Sequence, residues 1–243
     1  MGLELEGRVA VVTGGSRGIG AAVTWALLNE GASVVICGRS AGTLEQALSD
    51  FRPLGPVEGR VCDVGRFDEV AALFRFVGQS FGKLDYLVNN AGVGRFAPVD
   101  EIDPAAWDEV IATNLNGVFY CCREAVPLMK KNGGGFIINI GSLAGKHPFA
   151  GGAAYNASKF GLNGFTEAMM LDLRHDGIRV STIMPGSVDT GFGGAGRPAA
   201  DWKIAPEHIA ATVLHLIRMP ARSLASRVEM RPSRPPKRRV GAT

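Results

Sequence analysis

The sequence predicts an α/β protein built on one parallel β-sheet with helices on both faces. Short apolar runs alternate along the chain with helix-like stretches, which is the order expected of βαβ units. The apolar runs are continuous rather than interrupted at every second position, as in strands that are covered on both faces. The chain has 243 residues, of which 46% are hydrophobic and 20% charged, so it can bury one sizeable core. We expect a single domain over residues 1–230 and a tail over residues 231–243.

Six apolar runs predict the strands, and a seventh strand is weakly indicated near the end of the domain. The six runs are 9–13, 33–37, 57–61, 84–88, 136–140 and 178–184, and the seventh is 227–230. Helices between them are expected to stop near residues 30–31, 130–135 and 176–177, where glycine follows. Pro127 should kink or end its helix because proline lacks the backbone N–H. The stretch 186–201, rich in Gly, Ala and Pro, predicts a loop or lid.

The charge distribution argues against nucleic acid and membrane surfaces as partners. The net charge is +3, but the tail contributes five basic residues and no acid, so the remaining chain is slightly acidic. We interpret this tail as a solvated terminus, with a site for an acidic ligand as the alternative. Its basic residues are Arg231, Arg234, Lys237, Arg238 and Arg239.

The cysteines and the N-terminus favour a cytoplasmic protein without a metal site. Cys37, Cys62, Cys121 and Cys122 lack metal-ligand spacing and lie in apolar runs, which is typical of buried thiols in a reducing compartment. No signal peptide is recognisable at the N-terminus. No apolar stretch reaches the ~18 residues that a membrane span requires.

A glycine-rich segment joins the first strand to the first helix and predicts a phosphate-binding loop. Backbone N–H groups in such a loop can approach a pyrophosphate, and the helix N-terminus favours its negative charge. The spacing differs from G-x-G-x-x-G, and a glycine-rich turn without a ligand is the alternative. The position after the first strand favours a dinucleotide. The candidate residues are Gly14, Ser16, Arg17, Gly18, Ile19 and Gly20.

The end of the second strand predicts NADP(H) rather than NAD(H) as the cofactor. An NAD site requires an acid there to bind the ribose 2′-hydroxyl, but this chain has Arg39 and Ser40 after Gly38. Arg39, together with Arg17, would attract a 2′-phosphate. Either arginine alone would more often be a solvated surface charge.

Tyr155 and Lys159 lie four residues apart at the start of a predicted helix and therefore share one face. The lysine ammonium is expected to lower the pKa of the phenol, so that the tyrosine can donate and accept a proton. The pair alone is a weak signal. Ser142 and Asn90 follow two of the predicted strands, at the sheet edge where open α/β sheets bind ligands.

Taken together, these motifs resemble the short-chain dehydrogenase/reductase family over about residues 5–230. The resemblance implies a Rossmann-type doubly wound parallel sheet of about seven strands flanked by helices. The motifs are TGGSRGIG from Thr13, Asp63-Val64, NNAG from Asn89, Asn114 in TNLNG, Ser142 in NIGS, Tyr155-x-x-x-Lys159, and Pro185-Gly186 followed by Thr190.

The same resemblance implies a role for each motif. Asp63 and Val64 would lie near the adenine, and Asn90, Ala91 and Gly92 would line the adenosine side. The segment Pro185, Gly186, Val188 and Thr190 would meet the nicotinamide carboxamide. Lys159 would hold the nicotinamide ribose and tune Tyr155, Ser142 would bind the substrate oxygen, and Asn114 would support a water that relays protons to Lys159.

The resemblance implies hydride transfer between NADPH and a ketone or secondary alcohol, but the substrate stays open. The chain is similar to 3-oxoacyl-(acyl carrier protein) reductases, which act on 3-oxoacyl thioesters. It departs from them at Asp176, where they are typically basic, and at residues 228–232, which lack their usual ending. A small-molecule ketone or diketone reductase is equally compatible. Pocket candidates are Arg95, Phe96, Ala144, His147, Phe149 and the stretch 187–202.

Two further expectations concern the class of protein and its assembly. A non-catalytic dinucleotide-binding sensor or scaffold would have no reason to keep Ser142, Tyr155 and Lys159 together, so we favour an enzyme. The family commonly forms tetramers or dimers, and this chain is expected to form a homo-tetramer or homo-dimer. Candidate contact residues are Phe119, Leu128, Phe165, Met169 and Met170, with burial in the core as the alternative.

Overall fold

Seven parallel strands form one sheet in the computed structural model, which describes residues 4–192 and 200–236. The strand order is β3-β2-β1-β4-β5-β6-β7, and every neighbouring pair is parallel. The direction of strand succession reverses between β1 and β4, which is where doubly wound sheets open a ligand crevice. The strands are β1 Val9–Thr13, β2 Ser33–Gly38, β3 Val57–Val61, β4 Tyr86–Asn89, β5 Gly135–Ile140, β6 Ile178–Pro185 and β7 Arg227–Met230.

Seven α-helices cover the two faces of this sheet. Leu27, Leu44 and Val213 pack helices from one face into the first hydrophobic core, and Val77 and Leu162 belong to the second core on the other face. The predicted Rossmann-type doubly wound fold is therefore confirmed. The helices are α1 Gly18–Asn29, α2 Ala41–Phe51, α3 Phe67–Phe81, α4 Pro104–Ile111, α5 Gly117–Lys131, α6 Ala153–Leu173 and α7 Pro206–Arg218.

The expectation that strands are covered on both faces is wrong at the two sheet edges. Strand β3 has only half-buried and exposed residues, and Val61 is 56% exposed. Strand β7 is likewise only partly covered. An edge strand has a neighbour on one side only, so the covering helices leave part of its surface to solvent. The central strand β1, in contrast, is buried at all five positions.

Pro127 does not end its helix, because α5 continues through it to Lys131. The proline occupies an exposed position and removes one backbone hydrogen bond of the helix. On the opposite face, Cys121, Ala125 and Met129 are buried against the sheet. This packing outweighs the loss of one bond. A single turn of π-helix, Ala112–Asn116, joins α4 directly to α5.

The residues proposed for subunit contacts differ in their burial. Met169 is buried in the core, as the alternative interpretation expected, whereas Phe119 is 44% exposed and packs edge-on against Phe165. Assembly through this face stays a prediction. All four cysteines are buried and free. None of the helices among residues 4–192 and 200–236 is long and apolar enough to cross a membrane.

Candidate active site at the carboxyl ends of the strands

The loop between β1 and α1 has a shape that only glycine permits. Gly14 and Gly18 have φ angles of 63° and 54°, in the left-handed region that other residues rarely adopt. A Cβ atom at Gly20 would lie 2.2 Å from the Gly14 carbonyl oxygen and 2.5 Å from Asn90 Nδ2. Arg17, the residue before α1, makes no side-chain hydrogen bond that caps the helix N-terminus. The first N–H groups of α1 are thus left to bind an anion.

Thr13 and Asn90 clamp this loop to the neighbouring strand end. The Thr13 hydroxyl accepts hydrogen bonds from the backbone N–H groups of Asn90 and Ala91, both at 3.0 Å. In return, Asn90 Nδ2 donates to the carbonyl oxygens of Thr13 at 3.0 Å and Gly14 at 3.1 Å. The Asn90 amide group therefore positions the glycine loop. Sequence reasoning gave Thr13 no role of its own, although a threonine that ends a buried strand directly before glycine is a recognisable signal.

The residues predicted to bind a 2′-phosphate lie on two adjacent loops. A Cβ at Gly38, beside Arg39, would lie 3.7 Å from Ser16 Oγ in the glycine loop. Arg17 is exposed and has no ion-pair partner among the described residues. Arg39 Nη1, however, lies 3.0 Å from Glu109 Oε1. Ser40 caps α2 by accepting a hydrogen bond from the Thr43 backbone N–H, so its hydroxyl already has a structural role.

The other predicted cofactor segments surround the same crevice. The Asp63 carboxylate accepts a hydrogen bond from the Gly65 N–H at 3.0 Å, which fixes the loop after β3. A Cβ at Gly117 would lie 2.8 Å from Val64, so this valine packs against the start of α5. Gly92 lies beside Asn114, whose Oδ1 would be 3.3 Å from a Cβ at the glycine.

The loop after β6 folds back over the glycine loop. Its Gly186 N–H donates to the Met230 carbonyl at 2.8 Å, which ties the loop to β7. A Cβ at Gly18 would lie 3.1 Å from Thr190 Cγ2. Val188 forms an isolated parallel bridge with Ile204. The structure therefore places Thr190, at the end of the segment from Pro185, against the glycine loop. Residues 193–199 of the predicted lid lie outside the described residues.

Ser142, Tyr155 and Lys159 come together at the end of β5 and the start of α6. Lys159 Nζ lies 5.7 Å from the centre of the Tyr155 ring and donates a hydrogen bond to the Ile140 carbonyl at 3.0 Å. Ser142 follows Ile140 by two residues, and its hydroxyl is near enough to the phenol to lower the pKa of Tyr155. Its oxygen also accepts from the Ala144 N–H at 3.1 Å. The predicted constellation is therefore present as one cluster.

Burial controls the protonation of this cluster. Burial raises the pKa of Tyr155, and the nearby Ser142 hydroxyl opposes this rise only in part. The expectation that Lys159 lowers the pKa of Tyr155 below its ordinary value is therefore wrong for this structure. Burial also lowers the pKa of Lys159 to about 8, because transfer from water disfavours a charged group. Both side chains favour their uncharged forms more than they would in water.

Asn114 lies in the π-helical turn, and its side chain is occupied by protein partners. Its Oδ1 accepts from the Val93 N–H at 2.8 Å, and its Nδ2 donates to the Val93 carbonyl at 2.9 Å and to Ser158 Oγ at 3.1 Å. Ser158 Oγ in turn donates to the Tyr155 carbonyl at 2.8 Å. Both amide protons of Asn114 are thus used to join the loop after β4 to the first turn of α6. Sequence reasoning missed Ser158, although a small polar residue inside the Tyr-x-x-x-Lys motif could have indicated it.

Three exposed phenylalanines form an aromatic wall beside Tyr155. Ring centres of Phe96 and Phe192 lie 5.6 Å and 5.8 Å from the Tyr155 ring, and Phe149 lies 5.8 Å from Phe96. Phe96 is 44% exposed, Phe149 is 47% exposed and Phe192 is 43% exposed. Phe96 and Phe149 were individual pocket candidates, and Phe192 falls within the predicted lid.

The other residues predicted to line the pocket either contact side chains elsewhere or are buried. Arg95 Nη2 pairs with Glu109 Oε2 at 2.8 Å. His147 Nε2 lies 3.0 Å from Arg231 Nη2 at the end of β7, and Ala144 is buried. The tail residues Lys237, Arg238 and Arg239 lie outside the described residues.

Replacing Lys159 by Met should stabilise the protein without added cofactor. The folded-state pKa of about 8 lies below the ordinary value of 10.5, so below pH ~8 the buried ammonium destabilises the fold, and this penalty disappears as the pH rises towards ~10.5. After allowance for the lost hydrogen bond to Ile140, we expect the free energy of unfolding to rise by about 1–2 kcal/mol at pH 7 and by less at pH 9.5. Urea denaturation at both pH values measures this difference.

Lys131→Met serves as the control, because Lys131 is exposed at the end of α5 and shows no ion pair among the described residues. Its effect should be small and independent of pH. A Lys159→Met variant less stable than the wild type at pH 7 would contradict the argument from burial.

Comparisons with known proteins agree with this geometry. The sequence profile of the short chain dehydrogenase family matches residues 8–200. A 3beta-hydroxysteroid dehydrogenase of Mediterraneibacter gnavus is 40% identical over 210 residues, which are 86% of this chain and 75% of that protein. The structure of a metagenomic short-chain oxidoreductase in complex with NADP is 40% identical, with a TM-score of 0.84 over 96% of this chain and 100% of that chain.

An alcohol dehydrogenase from the archaeon Thermococcus sibiricus, complexed with 5-hydroxy-NADP, is 28% identical. It superposes with a TM-score of 0.87 over 95% of this chain and 99% of that chain. The family match covers the glycine loop, six of the seven strands and the cluster around Tyr155. The chain therefore belongs to the short-chain dehydrogenase/reductase family of oxidoreductases.

Proposed function

We propose that the protein is an NADP(H)-dependent oxidoreductase that transfers hydride between nicotinamide and the carbon of a ketone or secondary alcohol. The observation that carries this proposal is the single cluster of Ser142, Tyr155 and Lys159 beside the glycine loop. A sensor or scaffold without turnover would not require these three groups to meet. Two solved structures similar to this chain hold NADP or 5-hydroxy-NADP, which supports the choice of cofactor.

The residues around the crevice fit a dinucleotide phosphate. The glycine cradle, which a Cβ at Gly20 would fill, leaves backbone N–H groups for the pyrophosphate. Arg17 and Arg39 supply positive charge for a 2′-phosphate. When bound, NADPH supplies the hydride. The proposed binding residues are Gly14, Ser16, Arg17, Gly18, Ile19, Gly20, Arg39, Ser40, Asp63, Val64, Asn90, Ala91, Gly92, Tyr155, Lys159, Pro185, Gly186, Val188 and Thr190.

The protein groups perform the proton chemistry. Burial keeps the Tyr155 phenol protonated at neutral pH, so it can donate a proton to the carbonyl oxygen of a substrate. The Ser142 hydroxyl, held by the Ala144 N–H, donates a hydrogen bond to the same oxygen and stabilises its developing charge. Lys159 can replace the proton that Tyr155 gives up, because its lowered pKa favours proton release. Asn114 acts by holding the π turn beside α6, since its amide protons are already used.

The aromatic wall favours a bulky apolar ketone as the substrate. Phe96, Phe149 and Phe192 offer exposed ring surface next to Tyr155, and such surface gains most from burying a flat apolar ring system. One relative is a 3beta-hydroxysteroid dehydrogenase, and a hydroxysteroid carries its alcohol on an apolar ring system. A 3-oxoacyl thioester is the second candidate. Asp176 argues against an acyl carrier protein as the partner. It stands where 3-oxoacyl reductases typically have a basic residue, and its carboxylate lies 2.7 Å from Lys130 Nζ.

We expect the protein to oxidise NADPH with alicyclic ketones at a higher kcat/KM than with 3-oxoacyl thioesters. Phe96→Ala removes ring surface beside Tyr155 without removing a proton-transfer group, so it should lower kcat/KM for the ring ketone about ten-fold, mainly through KM. Absorbance of NADPH with a panel of ring ketones, acyclic ketones and 3-oxoacyl thioesters measures these rates.

Leu171→Ala, at an exposed apolar position on α6, is the matched control and should leave the rates unchanged. Faster turnover of the thioesters would select the second candidate. No NADPH oxidation with any of these carbonyl compounds would favour the sensor or scaffold.

A further inference from the structure

Glu109 connects two loops that border the adenosine side of the proposed cofactor site. It lies on α4, and its Oε1 is 3.0 Å from Nη1 of Arg39, which follows β2. Its Oε2 is 2.8 Å from Nη2 and 2.9 Å from Nε of Arg95, which follows β4. One carboxylate thus holds two arginines from distant parts of the chain. Sequence reasoning proposed roles for both arginines and none for Glu109.

The carboxylate is charged at neutral pH. The hydrogen bond from Arg39 lowers the pKa of Glu109, and Arg95 adds to this effect against the opposing influence of partial burial. A guanidinium group binds a carboxylate and a phosphate through the same planar set of N–H donors. A carboxylate that holds Arg39 therefore competes directly with any phosphate that approaches this arginine.

We propose that Glu109 weakens the preference of this protein for NADP(H) over NAD(H) by competing with the 2′-phosphate of NADP(H) for Arg39. This inference rests on the proposed function, in which Arg39 binds that phosphate. Glu109 opposes NADP(H) in two ways, since it occupies the Arg39 donors and places a negative charge near a dianion. NAD(H) has no 2′-phosphate and experiences neither effect. Glu109 thus reduces the preference for NADP(H) that Arg17 and Arg39 create.

Arg95 lowers the free-energy cost of moving Arg39 from Glu109 to a phosphate. When Arg39 turns to a phosphate, Glu109 keeps its two contacts with Arg95 and is not left without a counter-charge. The side chains of Arg39 and Arg95 are 50% and 54% exposed, so water can also solvate them during the exchange. An exposed ion pair of this kind is weak, which suits a contact that must break each time the cofactor binds.

The alternative is an ion pair that only fastens α4 to the neighbouring loops. In that case removal of Glu109 would loosen the site and weaken NADPH and NADH together. Competition predicts instead that removal of Glu109 strengthens the binding of NADPH and leaves the binding of NADH unchanged. The sign of the effect and its dependence on Arg39 therefore separate the two explanations.

The test compares dissociation constants of NADPH, NADH, 2′,5′-ADP and ADP for Glu109→Gln, Arg39→Met and the double variant, by fluorescence titration and calorimetry. We expect Glu109→Gln to bind NADPH and 2′,5′-ADP about two- to five-fold more tightly, with NADH and ADP unchanged. In the Arg39→Met background, Glu109→Gln should lose most of its effect on NADPH binding. The guanidinium group for which Glu109 and the phosphate compete is absent there. Asp108→Asn, the neighbouring exposed acid on α4, controls for the change in net charge and should have a smaller effect.

The outcomes distinguish this inference from the proposed function. If Arg39→Met weakens NADPH binding but Glu109→Gln does not strengthen it, or changes both cofactors equally, Glu109 does not compete and only this inference is wrong. If Arg39→Met leaves the NADPH to NADH preference unchanged, the assignment of the 2′-phosphate site is wrong as well. Melting curves of each variant without cofactor show whether a change in affinity reflects a loss of folding.

Discussion

The largest expected effect is that of Tyr155→Phe, which should lower kcat for ketone reduction about 100-fold or more and leave NADPH affinity almost unchanged. The substitution removes only the hydroxyl that donates the proton. The ring stays between Phe96 and Phe192, so the pocket keeps its shape. Steady-state rates with a ring ketone and a fluorescence titration of NADPH measure the two quantities separately.

Tyr120→Phe is the matched control for this substitution. Tyr120 lies on α5, where its ring packs against Phe67 and Phe119, away from the proposed active site. Loss of its hydroxyl should leave kcat within about two-fold of the wild type. A Tyr155→Phe variant that retains most of its activity would show that another group supplies the proton.

The second large effect is expected at Gly20, where alanine should weaken NADPH binding more than about ten-fold and lower the free energy of unfolding by about 1–3 kcal/mol. The added methyl group would lie 2.2 Å from the Gly14 carbonyl oxygen and 2.5 Å from Asn90 Nδ2. Since the first of these atoms is backbone, the glycine loop must open to relieve the overlap. Its N–H groups would then no longer converge on a phosphate. Titration of NADPH and urea denaturation measure both effects.

Gly42→Ala provides the control, because Gly42 lies in α2 and a Cβ there would meet no atom within 4 Å. Alanine favours a helix more than glycine does, so this variant should be as stable as the wild type or more stable. Its NADPH affinity should not change. Equal NADPH affinity of Gly20→Ala and the wild type would contradict the proposed phosphate-binding loop.

Several features of this protein were predictable because they depend on residues close in sequence. Apolar runs identified most of the strands, and the weakly indicated segment Arg227–Met230 is a strand as well. The left-handed turns at Gly14 and Gly18 follow from a glycine loop between a strand and a helix. Tyr155 and Lys159 share a face because they are four residues apart on one helix. In each case the local chain geometry alone imposes the result.

Other features depend on which distant segments pack together, and only the tertiary structure decided them. Glu109 meets Arg39 across 70 positions of sequence, and Phe192 reaches Tyr155 from a loop beyond β6. The raised pKa of Tyr155 and the lowered pKa of Lys159 come from burial. Burial is a property of the packed whole rather than of the motif that contains the two residues. The sequence by itself determined the fold and the catalytic candidates, while long-range packing decided their protonation and the partners that surround them.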